Sequence, residues 1–177
     1  MGKTTEILKD SFGREHNYLR ISLTEKCNLR CAYCMPAEGI PLLPSAKLMQ
    51  ADEVFAITKT FVSLGVDKIR LTGGEPLVRK DFDVILKNLA TLPVELAIST
   101  NGILVDKHLA LFKETGLQKI NLSIDSLQPE KFAQITRRNE FEKVMQNLEM
   151  LLENNFEVKL NVVLMRAFND DEIIDFI

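Results

Sequence analysis

Short β-type runs alternate with amphipathic stretches along this chain, and the alternation constrains the fold more than any other feature. Five runs rich in apolar and β-branched residues are predicted as strands: YLRISLT, VDKIRLT, VELAIST, QKINLSID and residues 156–164. Stretches with apolar residues at helical spacing separate each strand from the next. Parallel neighbours need crossover connections of this kind, so the pattern predicts an α/β fold with a parallel sheet.

Two architectures fit this alternation, a curved partial βα barrel and an open doubly wound sheet, and we favour the barrel. The spacing of apolar residues along the chain does not distinguish these two architectures. No linker or low-complexity tract is visible, so we divide the chain only into an N-terminal extension, residues 1–16, and one core domain, residues 17–177. The sequence stops inside a helix predicted to start at Asp170 and Asp171. We therefore expect a truncated barrel, incomplete at its C-terminus, from the N-terminal part of a longer protein.

Composition narrows the functional classes. The 177 residues are enough for one sizeable core, 46% of them are apolar, and the net charge is −3. This balance argues against a basic nucleic-acid binder. The chain has no apolar run of membrane-spanning length, and MGKTTEILKDSFGREHN lacks the apolar centre of a secretory signal. We expect a cytoplasmic protein with no nucleic-acid or membrane partner.

All the cysteines of the chain stand in one loop after the first predicted strand, TEKCNLRCAYCMPAEG, at positions Cys27, Cys31 and Cys34. An odd, clustered count argues against a disulfide framework. Thiolates on one loop suit zinc or an iron–sulfur cluster, but a structural zinc site needs four ligands, and neither His16 nor His108 is placed as a fourth. Three thiolates suit a four-iron cluster with one iron left open. The alternative, three buried small residues, is disfavoured by the polar neighbours.

Three polar or glycine-containing stretches follow the second, third and fourth predicted strands, namely TGGEP, STNG and the end of NLSID. Paired glycines let the backbone approach a ligand closely, although a tight βα turn would also use them. Side chains at the carboxyl ends of barrel strands point toward the active site. Ser123 is therefore a candidate ligand contact, with an ordinary strand serine as the alternative.

Cations interrupt otherwise apolar strands at Arg20, Arg70 and Lys159. Such residues are costly to bury unless they are paired or serve a ligand, although a solvated sheet edge could accommodate one of them. Three cations that face one cavity would suit a polyphosphate substrate. Two further arginines, Arg137 and Arg138 in ITRR, are explained by a helix end and solvent exposure.

The C-x3-C-x2-C pattern with Tyr33 before the last cysteine resembles the signature of radical S-adenosylmethionine (SAM) enzymes. The resemblance implies a partial TIM-like (β/α) barrel of the radical SAM type. It implies that the three cysteines serve catalysis by holding a [4Fe–4S] cluster, whose fourth iron is chelated by the methionine amino and carboxylate groups of SAM. It also implies cofactor contacts at Tyr33, Gly74, Glu75 and Ser123.

Further segments, CMPAEG, ITRR and VKLNVVLMRAFNDDEI, resemble the GTP 3′,8-cyclase family of molybdenum-cofactor biosynthesis. By this resemblance, a lyase reaction starts when the 5′-deoxyadenosyl radical removes the 3′ hydrogen of GTP. C3′ then attacks C8 of guanine, which gives a cyclised dihydro-GTP. The GTP contacts of the family fall on Arg20, Arg70, Ser99 and Lys159, and the family usually carries Thr at the position of Ser99.

The sequence also departs from this family. It lacks the three further cysteines of a second cluster that binds the guanine base, and it lacks the terminal Gly-Gly of the family. We therefore expect the chain alone to be inactive in the full reaction. The resemblance implies a reductant such as flavodoxin or ferredoxin, a downstream cyclic pyranopterin monophosphate synthase and a homodimer. The alternatives are another radical SAM enzyme, such as a peptide-modifying enzyme or an activating enzyme, and a non-catalytic iron–sulfur or zinc module.

Overall fold

A computed structural model of the chain describes residues 8–177 and contains one five-stranded sheet with α-helices between its strands. The strands are β1 (Tyr18–Ser22), β2 (Lys68–Thr72), β3 (Glu95–Thr100), β4 (Lys119–Ser123) and β5 (Glu157–Asn161). The α-helices are α1 (Ala51–Ser63), α2 (Phe82–Leu89), α3 (Val105–Thr115), α4 (Pro129–Thr136) and α5 (Phe141–Glu153).

The strand order separates the two architectures that the sequence allowed. The sheet runs β1-β2-β3-β4-β5, and every neighbouring pair is parallel. Right-handed crossovers in unbroken sequential order keep all connecting helices on one side of the sheet. A doubly wound sheet would reverse the order at one point and place helices on both faces. The prediction of a partial TIM-like barrel is confirmed.

The two faces of the sheet differ in polarity. Alternate strand residues are buried between the sheet and the helices: Ile69, Leu71, Leu96, Ile98, Ile120 and Leu122. The opposite face, which we call the inner face, carries polar and charged side chains. On it, Arg20 lies opposite Arg70, and Asn121 lies between Ser99 and Lys159. The core therefore lies on the helix side, and the inner face is free to bind a polar ligand.

Helix ends mostly follow their local sequence signals. Pro129 occupies the first turn of α4, where its missing N–H costs nothing. Gly116 ends α3 with a φ of 69°, a left-handed conformation that glycine adopts without strain. Helix α4 ends in the same conformation on Arg137, with a φ of 56°. An arginine at such a position is unusual, because a side chain is strained there.

The last part of the chain differs from the sequence prediction. Strand β5 ends at Asn161 and does not continue to residue 164. The backbone N–H of Val163 donates to the Asp125 carboxylate at 2.8 Å instead of joining a strand ladder. The helix predicted at Asp170 is a single 3-10 turn, Asp170–Glu172. The carboxylate of this turn's last residue is buried and accepts the Leu127 N–H at 2.7 Å, so tertiary contacts fix this segment.

The proposed boundary between residues 16 and 17 stays a prediction, and residues 1–7 of the extension lie outside the described part of the chain. Of the remaining extension, Leu8 donates its N–H to Leu64 at the end of α1, and Lys9 forms an isolated antiparallel bridge with Glu15. No helix within residues 8–177 is both long and apolar enough to cross a bilayer.

Candidate functional site

The three cysteines line one pocket at the carboxyl ends of the strands. This pocket has a volume of about 180 Å³. Cys27 and Cys31 are half-buried, Cys34 is exposed, and all three are free thiols. The wall also includes several residues from the loops that follow the strands: Tyr33, Gly73, Gly74, Ser99, Asn101 and Ser123. The structure thus brings the cysteine loop together with TGGEP, STNG and the end of β4.

The cysteines do not form a site for one metal ion. Among residues 8–177, no group of three or more His, Cys, Asp or Glu side chains converges closely enough to hold a single ion. A cluster of four irons is wider than one ion, so its thiolate ligands need to line a shared pocket and not to meet at a point. Three thiols on one pocket wall are a ligand set that such a cluster can take.

Burial raises the pKa of two of the three thiols. Burial raises the pKa of the Cys27 thiol, with a smaller opposing effect from the Leu29 N–H, which donates to Sγ at 3.4 Å. Burial, followed by the nearby charge of Asp125, raises the pKa of Cys31 to about 11. Only thiolates ligate metals, so a metal centre that binds here has to displace the protons of these groups.

TGGEP packs directly on the start of the cysteine loop. The Gly74 N–H donates to the Thr24 carbonyl at 2.6 Å, and the Glu75 N–H donates to the Lys26 carbonyl at 2.8 Å. A Cβ on Gly74 would lie 2.5 Å from the carbonyl oxygens of Glu25 and Lys26. The paired glycines are therefore required for contact between two backbones, beyond any contact with a ligand.

Glu75 does not face the pocket. Its side chain is 1% exposed and holds the loop after β3, because its carboxylate accepts the Asn101 N–H at 2.7 Å and the Thr100 hydroxyl at 2.9 Å. It also accepts the Leu77 N–H at 3.1 Å. The side chain does not line the cysteine pocket and connects TGGEP to STNG, while the cofactor contact expected of Glu75 stays a prediction. Burial raises its pKa to about 7.

Tyr33 and Ser123 both line the pocket, and Tyr33 is held by a residue that the sequence did not single out. The Tyr33 hydroxyl donates to Asp125 Oδ2 at 2.7 Å. The pKa of Tyr33 is raised by burial and then by this bond, so the phenol stays protonated. Asp125 is itself buried, and its other carboxylate oxygen accepts the Val163 N–H. The polar end of NLSID was visible in sequence, but this pairing across the fold was not.

The four residues expected to contact GTP fall in two places. Ser99 lines the cysteine pocket. Arg20, Arg70 and Lys159 do not line it and lie on the inner face of the sheet, each at the middle of its strand. The Arg70 guanidinium lies over the Tyr18 ring at 5.4 Å, and its buried Nε has no hydrogen-bond partner within residues 8–177. The three cations therefore share the inner face with Ser99, and Arg70 has an unused donor.

Gly74→Ala is expected to lower the free energy of unfolding by about 2–3 kcal/mol, because the new methyl group collides with two backbone carbonyls that cannot rotate away. Urea denaturation of the reduced, metal-free protein measures this change. Gly116→Ala is the matched control. A Cβ there meets nothing within 4 Å, so only backbone strain of about 1 kcal/mol is expected. Equal losses in the two variants would contradict the close-packing interpretation.

Glu75 is expected to make stability pH-dependent. Its pKa of about 7 in the folded protein exceeds the ordinary value of 4.5, so between these values the folded state binds more protons than the unfolded state. Stability from this group is full below pH 4.5 and is lost as the pH rises through 7. The unfolding free energy of the metal-free wild type should fall more steeply between pH 5 and 7 than that of Glu75→Gln, by at most about 1.4 kcal/mol per pH unit.

The control for this pH series is Glu149→Gln, which removes an exposed carboxyl on α5. Its slope in urea denaturation should match the wild-type slope. If Glu75→Gln also shows the wild-type slope, the protonation assigned to Glu75 is wrong.

The comparisons with known proteins agree with this geometry. The family model of the radical SAM superfamily matches residues 21–177. Molybdenum cofactor biosynthesis protein moc-5 of Caenorhabditis elegans is 51% identical over 170 residues, 95% of this chain and 28% of that protein. The mitochondrial GTP 3′,8-cyclase of Arabidopsis thaliana is 51% identical over 176 residues, 98% of this chain and 45% of that protein. The chain thus spans less than half the length of these relatives.

A solved structure with a similar fold is Streptococcus suis SuiB bound to S-adenosylmethionine, with a TM-score of 0.70 and 20% identity. The alignment covers 90% of this chain and 37% of that chain. At this identity the similarity concerns the fold alone. The family model, in contrast, covers most of the sequence, and the chain belongs to the radical SAM superfamily.

Proposed function

We propose that this chain is the N-terminal part of a GTP 3′,8-cyclase, which converts GTP to 3′,8-cyclo-7,8-dihydro-GTP in molybdenum-cofactor biosynthesis. The observation that carries the proposal is the 51% identity, over 98% of the chain, to a relative named GTP 3′,8-cyclase. The reaction belongs to the lyase class. The site supports the same conclusion, because a thiol-lined pocket adjoins a row of cations suited to a nucleotide.

The thiol pocket fits a [4Fe–4S] cluster with SAM. Three thiols share its wall, and Gly73 and Gly74 of TGGEP line the same pocket. When bound, the cluster and SAM supply the one-electron chemistry that yields a 5′-deoxyadenosyl radical. Cys27, Cys31 and Cys34 would hold the cluster, and the open iron would take the amino and carboxylate groups of SAM.

The chain's own residues orient SAM and exclude water. Tyr33, whose phenol is held by Asp125, lines the pocket, while Gly74 offers backbone groups and Ser123 a hydroxyl. Glu75 contributes indirectly, since it holds the backbone of Asn101 in the pocket wall. Fixed groups of this kind lower the cost of bringing the reacting atoms together.

GTP is proposed to bind on the inner face of the sheet. Arg20 and Arg70 stand opposite each other on neighbouring strands, and two like charges so placed repel each other. A triphosphate would relieve this repulsion and use the free Nε of Arg70. Lys159 and Ser99 flank Asn121 one layer closer to the thiol pocket. The ribose of GTP would therefore lie between its phosphates and the site of radical formation.

The chain alone is proposed to hold the first cluster, to bind GTP weakly and to be inactive in the full reaction. In the family that it resembles, a second cluster binds the guanine base, and this sequence has no cysteines beyond the three already placed. The complete protein is proposed to be cytoplasmic and homodimeric, to take electrons from a flavodoxin or ferredoxin, and to pass its product to a cyclic pyranopterin monophosphate synthase.

Anaerobic reconstitution tests the cofactor assignment. The wild-type chain is expected to bind about four irons and four sulfides, and addition of SAM is expected to change the electron paramagnetic resonance (EPR) spectrum of the reduced cluster. Cys34→Ser should lose most of the iron because one of three ligands is gone. Bound zinc in place of iron, or a reduced spectrum that SAM leaves unchanged, would argue for a non-catalytic metal module.

Equilibrium dialysis with labelled GTP tests the substrate assignment. Binding to the 177-residue chain should be weaker than binding to a version extended to the length of its relatives. In that longer version, Arg70→Ala should weaken GTP binding by about tenfold through loss of a charge-assisted contact. Lys59→Ala, which removes an exposed cation from α1, should leave binding unchanged. Equal effects of the two substitutions would place GTP elsewhere.

A further inference from the structure

The cysteine loop depends on other parts of the molecule for some of its backbone hydrogen bonds. Residues 24–39 contain no helix or strand. Turn bonds inside the loop, such as those from the Cys34 and Met35 N–H groups to the Cys31 carbonyl at 2.9 Å, satisfy part of its polar groups, and others find partners outside it. The N–H groups on either side of Cys31 find them at the end of α4. The Arg30 N–H donates to the Thr136 carbonyl at 3.0 Å, and the Ala32 N–H donates to the Ile135 carbonyl at 2.8 Å.

These contacts serve both partners. The last carbonyls of a helix receive no hydrogen bond from N–H groups of the same helix. Here the N–H groups of the cysteine loop donate to them. The end of α4 is therefore part of the support of the loop. From sequence, the two arginines of ITRR are explained by a helix end and solvent exposure, and no role is assigned to Ile135 and Thr136, whose carbonyls accept these bonds.

Arg137 adds a contact that spans the loop. Its Nη1 donates to the Met35 carbonyl at 2.9 Å and lies 3.3 Å from the Arg30 carbonyl as a second acceptor. Arg30 immediately precedes Cys31, and Met35 immediately follows Cys34. One guanidinium thus connects the two ends of the four-residue segment that carries two of the three thiols.

The backbone of Arg137 gives independent support for a role of its side chain. The residue has φ 56° and ψ 32°, and its N–H closes α4 on the Ala133 carbonyl at 2.8 Å. Glycine suits this conformation best, as Gly116 does at the end of α3. Helix termination alone would favour glycine here, so the contacts of the arginine side chain offset the strain of its backbone.

We propose that Arg137 is a positioning residue of the cysteine loop, which fixes the separation and orientation of Cys31 and Cys34 for metal ligation. It acts through the loop, since it is not part of the pocket wall. Its neighbour Arg138 has the same charge but donates only to the Arg137 carbonyl, at 2.8 Å. Arg138 therefore separates the effect of charge from that of the contact.

The inference rests on the proposed function in one respect, namely that the thiols of this loop hold a [4Fe–4S] cluster. The test compares the wild type, Arg137→Gly and Arg138→Ala, each as the full 177-residue chain. Three quantities are measured: the melting temperature of the metal-free protein, the rate at which a chelator bleaches the reconstituted cluster, and the EPR spectrum of the reduced cluster.

Arg137→Gly removes the side-chain contact and relieves the backbone strain at the same time. Its metal-free form should melt within about 3 °C of the wild type. Its cluster should bleach about fivefold faster, because a contact of the charged guanidinium to the ligand loop is gone. Its EPR spectrum should broaden as the thiolate positions become less uniform. Arg138→Ala should match the wild type in all three measurements.

The outcomes are distinguishable. A wild type that assembles no cluster would overturn the proposed function and, with it, the basis of this inference. With a cluster present, wild-type bleaching and an unchanged spectrum in Arg137→Gly would overturn the inference alone. Equally fast bleaching in Arg138→Ala would assign the effect to charge and overturn the positioning role. A large fall in the melting temperature of metal-free Arg137→Gly would assign Arg137 to general folding, which also overturns it.

Discussion

The site depends on hydrogen bonds made by a loop that has no secondary structure of its own. The three thiols of the pocket wall sit on this loop, and hydrogen bonds within the loop satisfy only part of its backbone groups. TGGEP bonds its start at Thr24 and Lys26, Asn101 bonds Asn28 at 2.7 Å, and the end of α4 bonds its middle. Three separate strand–helix units thus determine where the thiols lie. The geometry of the site therefore depends on the correct assembly of the sheet.

The buried carboxylate of Glu75 shows how these units are joined. It lies among neutral donors from the loop after β3, with no cation as partner, in an interior where an ionised carboxyl is costly. Gly73 and Gly74, which precede Glu75, allow backbone contact with the cysteine loop. The Glu75 side chain contacts Asn101 in the loop after β3. TGGEP therefore connects the cysteine loop to the loop after β3, and it also lines the pocket.

The sequence predicted the sheet and the thiol pocket because both depend on local pattern. Apolar periodicity placed all five strands, and the spacing of the cysteines on one loop placed them together. The sequence pattern could not predict the contacts of Arg137, whose acceptors lie 102 and 107 residues away in the chain. It extended β5 too far for the same reason, since Val163 gives its N–H to Asp125, a competing partner 38 residues away that periodicity does not report. Sequence reasoning failed where contacts distant in the chain compete with local propensity.

Strand β5 pairs with β4 alone in the described sheet, and its other edge presents unpaired backbone groups. Exposed sheet edges recruit further strands, including those of other molecules, and apolar side chains near an edge increase this tendency. Val163 and Leu164 are exposed just after the edge, while Glu157 and Lys159 add charges along it. Charged side chains on an edge strand disfavour its pairing with another edge, so Glu157 and Lys159 are expected to oppose self-association through β5.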